Sequence, residues 1–275
     1  MTARITSLGM YDHPAQHSAN DALWSAIAQN LRERGILDAA DHLDRSRHVH
    51  AIWRDPNLLL AQACGYPVLV DPTLALRLVA LPVYDAPGCS GATHTSILVA
   101  RADDERRSLS AFRGARAAVN DPRSNTGMNL FRATIAQALA EQDIGQTAFF
   151  AEQVETGSHR ASIVAVGTGS ADIAAIDCVT YAAITRYEPA LTASLRIVTT
   201  SPHSPTLPFV TAAANDDRTI AALTAALWQV MADPKLTEVR ASLFLAGLAS
   251  VDADTLAPIA ALEAQAVRTG YANLR

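Results

Sequence analysis

The sequence contains no uninterrupted apolar stretch approaching the length that crosses a bilayer, although 49% of its 275 residues are hydrophobic. Its first residues, MTARITSLGMYDHP, carry neither the basic region nor the apolar core of a signal peptide. Either the chain is cytosolic or a leader has been removed from it. A basic stripe is also missing: the net charge is -5 and the cationic residues are scattered, which argues against a nucleic-acid backbone or an acidic membrane surface as partner. Cysteine is scarce. Cys64, Cys89 and Cys178 show no C-x-x-C spacing, so neither a zinc site nor a thioredoxin-type motif is supported, while one disulfide plus one free thiol stays open. His48 and His50, in the run DRSRHVH, have no acidic or cysteine partner at ligand-like spacing and read as a solvated segment rather than a metal site. There is no internal repeat and no low-complexity linker.

The chain is long enough for one large domain or two lobes, with ample apolar content for a buried core. Residues 4 to 10 read as a first buried strand. A helix with Leu23, Trp24, Ile27 and Leu31 at helical spacing follows, ended by Gly35. Val49 to Trp53 reads as a strand, and Asp55 and Pro56 begin a short helix continuing through Leu58 to Ala63, after which CGYP makes a sharp exit. Leu76 to Tyr84 and His94 to Arg101 read as strands flanking the loop DAPGCSGAT, and Ser108 to Phe112 as a short helix stopped by Gly114. From Ala117 to Tyr187 strand and helix alternate, which argues for a parallel sheet covered on both faces. Leu195 to Thr200 and Phe209 to Ala213 read as strands. Helices are expected over the segment containing Ile220, Leu223, Leu227 and Val230, over Leu236 to Leu245 and over Asp254 to Arg268.

Three strand-to-helix junctions carry the functional signal. Ala117 to Val119 runs into DPRSNTG and a helical pattern from Met128 to Ala140, which places Ser124, Asn125 and Thr126 at a helix start. Backbone N–H groups there lack intrahelical partners and the dipole is positive, so a small anion can be held by main-chain donors and short polar side chains without any lysine. Phe149 to Val154 runs into GSHRAS, and Ala171 to Ile176 into Asp177, Cys178 and Tyr181. Ser, Thr, Asn and Asp also serve as ordinary helix caps. If the three strands are parallel neighbours, however, all three junctions lie outside their carboxyl ends, where α/β sheets bind ligands. The segments around His94 to Arg101 and Leu195 to Ser204 suit two crossings between lobes that close on a ligand.

Taken in order, CGYP (Cys64 to Pro67), GC-x-GA-x-x-x-S (Gly88 to Ser96), the S-x-TG helix start, GSH-x-x-S and the ADIAAID strand resemble the phosphonate and phosphate solute-binding proteins of ABC importers. The resemblance runs from Ile5 to about Leu245. It implies an α/β, two-lobed fold of the type II periplasmic binding protein kind, each lobe a mainly parallel sheet flanked by helices, joined by a two-segment hinge. Lobe 1 is then 1–95 with 201–275, and lobe 2 is 96–200. It further implies that Ser124, Asn125, Thr126 and His159 supply anion donors and that Tyr11 and Tyr66 approach from the first lobe. Asp177 would meet a cationic or hydroxyl group of the ligand, and Tyr181 would line that end. A histidine adds charge only when protonated, which an anion favours. In an oxidising compartment Cys64 and Cys89 could form a bridge.

Two departures bear on the ligand: Asn125 stands where the family's helix start often carries a hydroxyl, and no second acidic residue is placed beside Asp177 for an aminoalkyl group. The implied function is non-catalytic: a periplasmic, monomeric receptor that needs no cofactor or metal, binds a small phosphate- or phosphonate-like anion and delivers it to ABC permease subunits. An enzyme on the same fold, with His159 and Asp177 as acid or base, and a ligand-sensing subunit are the alternatives.

Overall fold

A computed structural model describes residues 3–139 and 148–274; Ala140, the expected end of one helix, lies outside them. The chain divides into two compact units. The first comprises Met1–Asp85, Ser90–Ala92 and Pro205–Thr255, the second Ala86–Cys89, Thr93–Ser204 and Leu256–Arg275.

The first unit is built on a five-stranded sheet in the order Ile5–Ser7, Leu58–Gln62, Phe209–Ala212, Leu76–Tyr84 and Leu245–Ala249. Leu58, Leu59 and Leu60 are wholly buried, because layers cover this strand on both faces. A strand of that kind reads as a continuous apolar run, which period alone cannot tell from a buried helix. The helix expected over Leu58 to Ala63 is therefore a strand. Conversely, the strand expected at Val49 to Trp53 is a short helix, Val49–Ile52, whose start is capped by His48 Nδ1 accepting from the His50 amide at 3.3 Å. CGYP opens a helical turn, Gly65–Val70, with Pro67 inside its first turn, where a missing N–H costs nothing. Helix His17–Glu33 packs against Asp217–Ala232. Leu23, Trp24, Ile27 and Leu31 of the one and Leu223, Leu227 and Val230 of the other are buried, as their spacing predicted, each buried aliphatic contributing about 1.5–3 kcal/mol. The helix expected to reach Leu245 ends at Ser242; Phe244 takes a φ of 55°, and the chain turns into strand Leu245–Ala249.

The second unit's sheet runs Glu152–Glu155, Arg116–Val119, Ile173–Asp177, Ser96–Arg101 and Leu195–Thr200. The first three are mutually parallel, and the last two run antiparallel to their neighbours. Both sheets are thus mixed rather than mainly parallel. The reason lies in the connections. A parallel pair needs a crossover, and those supplied by helices His17–Glu33, Leu130–Leu139 and His159–Gly167 join strands that run parallel. Strands that enter from the other segments of the chain have no such constraint.

Phe112, Phe131, Ile135, Phe149, Phe150 and Ile173 form the centre of this unit's core, together with Tyr271 and Leu274 from the C-terminus. Helix Ala257–Arg268 packs on Leu130–Leu139, and buried Arg132 bonds to Glu263 Oε1 and to the Ala272 carbonyl, each at 2.8 Å. Residues 256–275 accordingly belong to the second unit, not to the first as expected. The chain also passes between units after Thr255, where the sequence suggested no crossing.

Candidate functional site

The parallel register aligns Val119 with Glu155 and Ala118 with Ala174, so the three junctions open at one edge of the second unit's sheet. At the first, a turn after Val119 places Ser124 in extended conformation as a cap, its Oγ accepting from the Gly127 amide at 2.9 Å. Asn125–Asn129 then form a single turn of π-helix before Leu130–Leu139 begins. Such wide turns recur at functional sites. Gly127 is required here because a Cβ would stand 1.6 Å from Asn120 Oδ1.

The buried start is latched from several sides. Ser96 Oγ donates to the Thr126 carbonyl at 2.7 Å, and Asn125 Nδ2 donates to Ser204 Oγ at 2.9 Å. Asn129 Nδ2 donates to Asn125 Oδ1 at 3.1 Å, while Arg132 Nη2 donates to Asn129 Oδ1 at 3.0 Å. Asn125 therefore spends its side chain on the scaffold. What it presents outward, as a helix start does, is main chain.

At the second junction Ser158 caps helix His159–Gly167, its Oγ accepting from the Ala161 amide at 3.1 Å. The cap sets His159 at the helix start with Nε2 2.9 Å from Thr126 Oγ1, and Ser124 Oγ lies 3.5 Å from the same hydroxyl. Burial pushes the His159 pKa down, against the opposing influence of the Asp177 charge and the Ala175 main chain. Its imidazole is neutral in the ligand-free protein at neutral pH.

At the third junction Asp177 caps helix Cys178–Tyr187, Oδ1 accepting from the Thr180 amide at 2.9 Å, while Oδ2 faces His94 Nδ1 at 3.1 Å. Both side chains are buried. Burial alone would raise the carboxyl, but the hydrogen bond and charge of His94 outweigh it and hold Asp177 at about 2. For His94 burial favours the neutral ring, and the bond to Asp177 reverses that and raises its pKa. The two form an ion pair whose charges cancel. The polar groups gathered at the first two junctions are therefore the Ser124 and Thr126 hydroxyls, His159 and two helix starts, and helix starts favour negative charge through dipoles rather than through a fixed cation.

Of the residues singled out in the sequence, the structure brings Ser124, Thr126 and His159 into one bonded group, with Asp177 acting on it through its charge. Tyr181 lies in the first turn after Asp177, and burial raises its phenol pKa. Tyr11 and Tyr66 belong to the first unit. There the Tyr11 ring meets Tyr84 edge-on at 5.3 Å over a small pocket shared with Leu8, Asn20 and Gln62, and Tyr66 is buried in its helix. His94, Ser96, Ser204 and Asn129 were not anticipated. His94 sits at the edge of a strand pattern, and only the pairing of Ser96 with Asp177 across the sheet shows what it is for. The bridge that Cys64 and Cys89 could form is not present: the two belong to different units, and Cys89 Sγ instead faces Cys178 Sγ at 3.5 Å. Among the described residues no cluster of three or more His, Cys, Asp or Glu side chains could hold a metal. No helix among them is long and apolar enough to cross a membrane.

Several solved structures share this fold. A binding protein component of an ABC phosphonate transporter from Pseudomonas aeruginosa (PA3383) superposes with a TM-score of 0.77 at 18% identity, over 98% of this chain and 88% of its own. XAC2383 from Xanthomonas citri, bound to chloride ion, gives 0.71 at 17% identity over 98% of both chains. PhnD1 from Prochlorococcus marinus, in complex with methylphosphonate, gives 0.69 at 13% identity over 96% of this chain and 97% of its own. No curated protein sequence matches. Residues 57–256 match the family model described as ABC transporter, phosphonate, periplasmic substrate-binding protein, and the chain belongs to that family of substrate-binding proteins, which are not enzymes.

Proposed function

We propose that the ligand of this ABC substrate-binding protein is a small phosphorus oxyanion, phosphate or a phosphonate without an amino group, received by Ser124, Thr126, His159 and the main chain at Asn125. The observation that carries this reading is the bonded trio of Ser124, Thr126 and His159 at two helix starts. Hydroxyls, main-chain amides and one imidazole that can take up a proton match an oxyanion whose own charge varies with pH. The state of Asp177 sharpens the choice. With one carboxylate oxygen on His94 and the other on the Thr180 amide, and the charge neutralised, Asp177 is poorly placed to reward a ligand ammonium. The Prochlorococcus protein, solved with methylphosphonate, makes that compound the natural first probe. The protein works outside the cytoplasm as a monomer and hands its ligand to permease subunits.

Titration calorimetry with phosphate, phosphite, methylphosphonate, 2-aminoethylphosphonate and sulfate tests the reading. Methylphosphonate or phosphate should bind more tightly than 2-aminoethylphosphonate and sulfate. Ser124→Ala combined with Thr126→Ala should weaken that binding at least tenfold, while removal of the Ser124 cap costs about 1 kcal/mol of stability. Undiminished affinity in the double variant would overturn the assignment of these donors, and preference for the aminoalkyl ligand would overturn the reading of Asp177. Tyr11→Phe and Tyr66→Phe in the same assay report on the first unit's part in affinity.

A further inference from the structure

We propose that Cys89 and Cys178 form a disulfide when the folded protein meets an oxidising environment. Their Sγ atoms are 3.5 Å apart, so closing to the roughly 2.05 Å of an S–S bond asks for little more than side-chain rotation. The approach is built into the backbone. Gly88 adopts a φ of 97°, and a Cβ there would stand 2.9 Å from Cys178 Cβ and 2.8 Å from Thr95 Oγ1; only glycine lets the loop come this near.

Thr95 holds both sides at once. Its Oγ1 donates to the Gly88 carbonyl at 3.1 Å, and its own carbonyl accepts from the Cys178 amide at 3.1 Å. The Cys89 amide closes the turn onto the Ala86 carbonyl at 3.0 Å. The two sulfurs are thus presented to each other by main-chain bonds that do not depend on them. Cys64 belongs to the other compact unit and is buried.

The chemistry is a thiol–disulfide exchange with an external disulfide, either a small-molecule disulfide or that of a dithiol oxidase. Cys89 is partly exposed, whereas Cys178 is buried and its thiol is pushed to high pKa by the hydrogen bond to Cys89 and by burial. Cys89, as thiolate, attacks one sulfur of the external disulfide, whose S–S bond breaks to release one thiolate. Cys178 then gives up its proton and attacks Cys89 Sγ, expelling the second thiolate. Two protein thiols lose two protons and two electrons, and the external disulfide takes up the electrons as two thiols. The bond would fasten the glycine loop to the residue after Asp177, bracing the buried pair with His94.

The test is incubation of the folded, reduced protein with oxidised glutathione, followed by alkylation, proteolysis and mass spectrometry. The expected result is a peptide pair joined through Cys89 and Cys178, with Cys64 alone alkylated. The oxidised protein should also melt higher than the reduced one by about 5–15 °C, a gap that Cys89→Ser abolishes. Alkylation of all three cysteines at saturating oxidant, or a Cys64–Cys89 link, would each overturn the proposal.

Discussion

Replacing Asp177 by Asn keeps the helix cap but removes the charge that faces His94. The displacement of the carboxyl from 3.8 to about 2 corresponds, at 1.36 kcal/mol per pKa unit, to stabilisation on the order of 2 kcal/mol. The variant also strands the His94 ring without its counter-charge, so the full loss is set by whether that ring stays charged, and about 2–4 kcal/mol is expected where it would. The pH dependence identifies the cause. The carboxylate's contribution is fully present above pH 3.8 and is lost as pH falls toward 2. The His94 contribution is fully present below pH 6.5 and is lost as pH rises through its raised folded value. Wild type should therefore exceed Asp177→Asn most between about pH 4 and 6.5, with the gap closing on both sides. Urea unfolding of both proteins at a series of pH values measures this directly. A gap that stays constant from pH 4 to 9, or is widest at alkaline pH, would refute the ion pair.

Gly127→Ala drives a methyl into Asn120 Oδ1 at 1.6 Å and should cost about 1–3 kcal/mol in urea unfolding. Adding Asn120→Ala should recover most of that loss, and simple additivity of the two changes would show that the clash is not the cause. Because burial depresses His159 and a bound anion raises it, ligand binding near neutral pH should take up protons. Calorimetry in buffers of different ionisation heat reads the number taken up. His159→Gln should lower it, and the ligand's own protonation contributes equally in both proteins, so an unchanged number would remove His159 from the anion site.

Local chemistry carried most of what the sequence revealed. The helix starts at Ser124, at GSHRAS and at Asp177, the stop at Gly35 and the apolar faces of the long helices are written within a few residues of where they act, and each lies where the spacing placed it. Two of the misreadings share a different origin. Leu58–Gln62 was mistaken for a helix because burial on both faces erased the alternation that marks a strand. The C-terminal helix was assigned to the wrong unit because its partners, Arg132 and the Leu130–Leu139 face, are more than a hundred positions away. In both cases the deciding information was tertiary cover, which no window of sequence contains.

The same distinction explains why Ser124 and Thr126 are legible as a helix start, with His159 added by the family resemblance, while His94 is not. Ser124 and Thr126 stand at one helix start and His159 at another, features of local sequence, and parallel strands bring such starts together. His94 matters only because Ser96 pairs with Asp177 across two antiparallel strands, a register fixed by packing elsewhere in the sheet. Its effect on the proposed anion site is indirect: it neutralises Asp177, a carboxylate that would otherwise repel an incoming anion. The proposed anion site thus depends on a histidine that the sequence shows only as the edge of a strand, and without it the family resemblance gives Asp177 a contact with a cationic or hydroxyl group of the ligand.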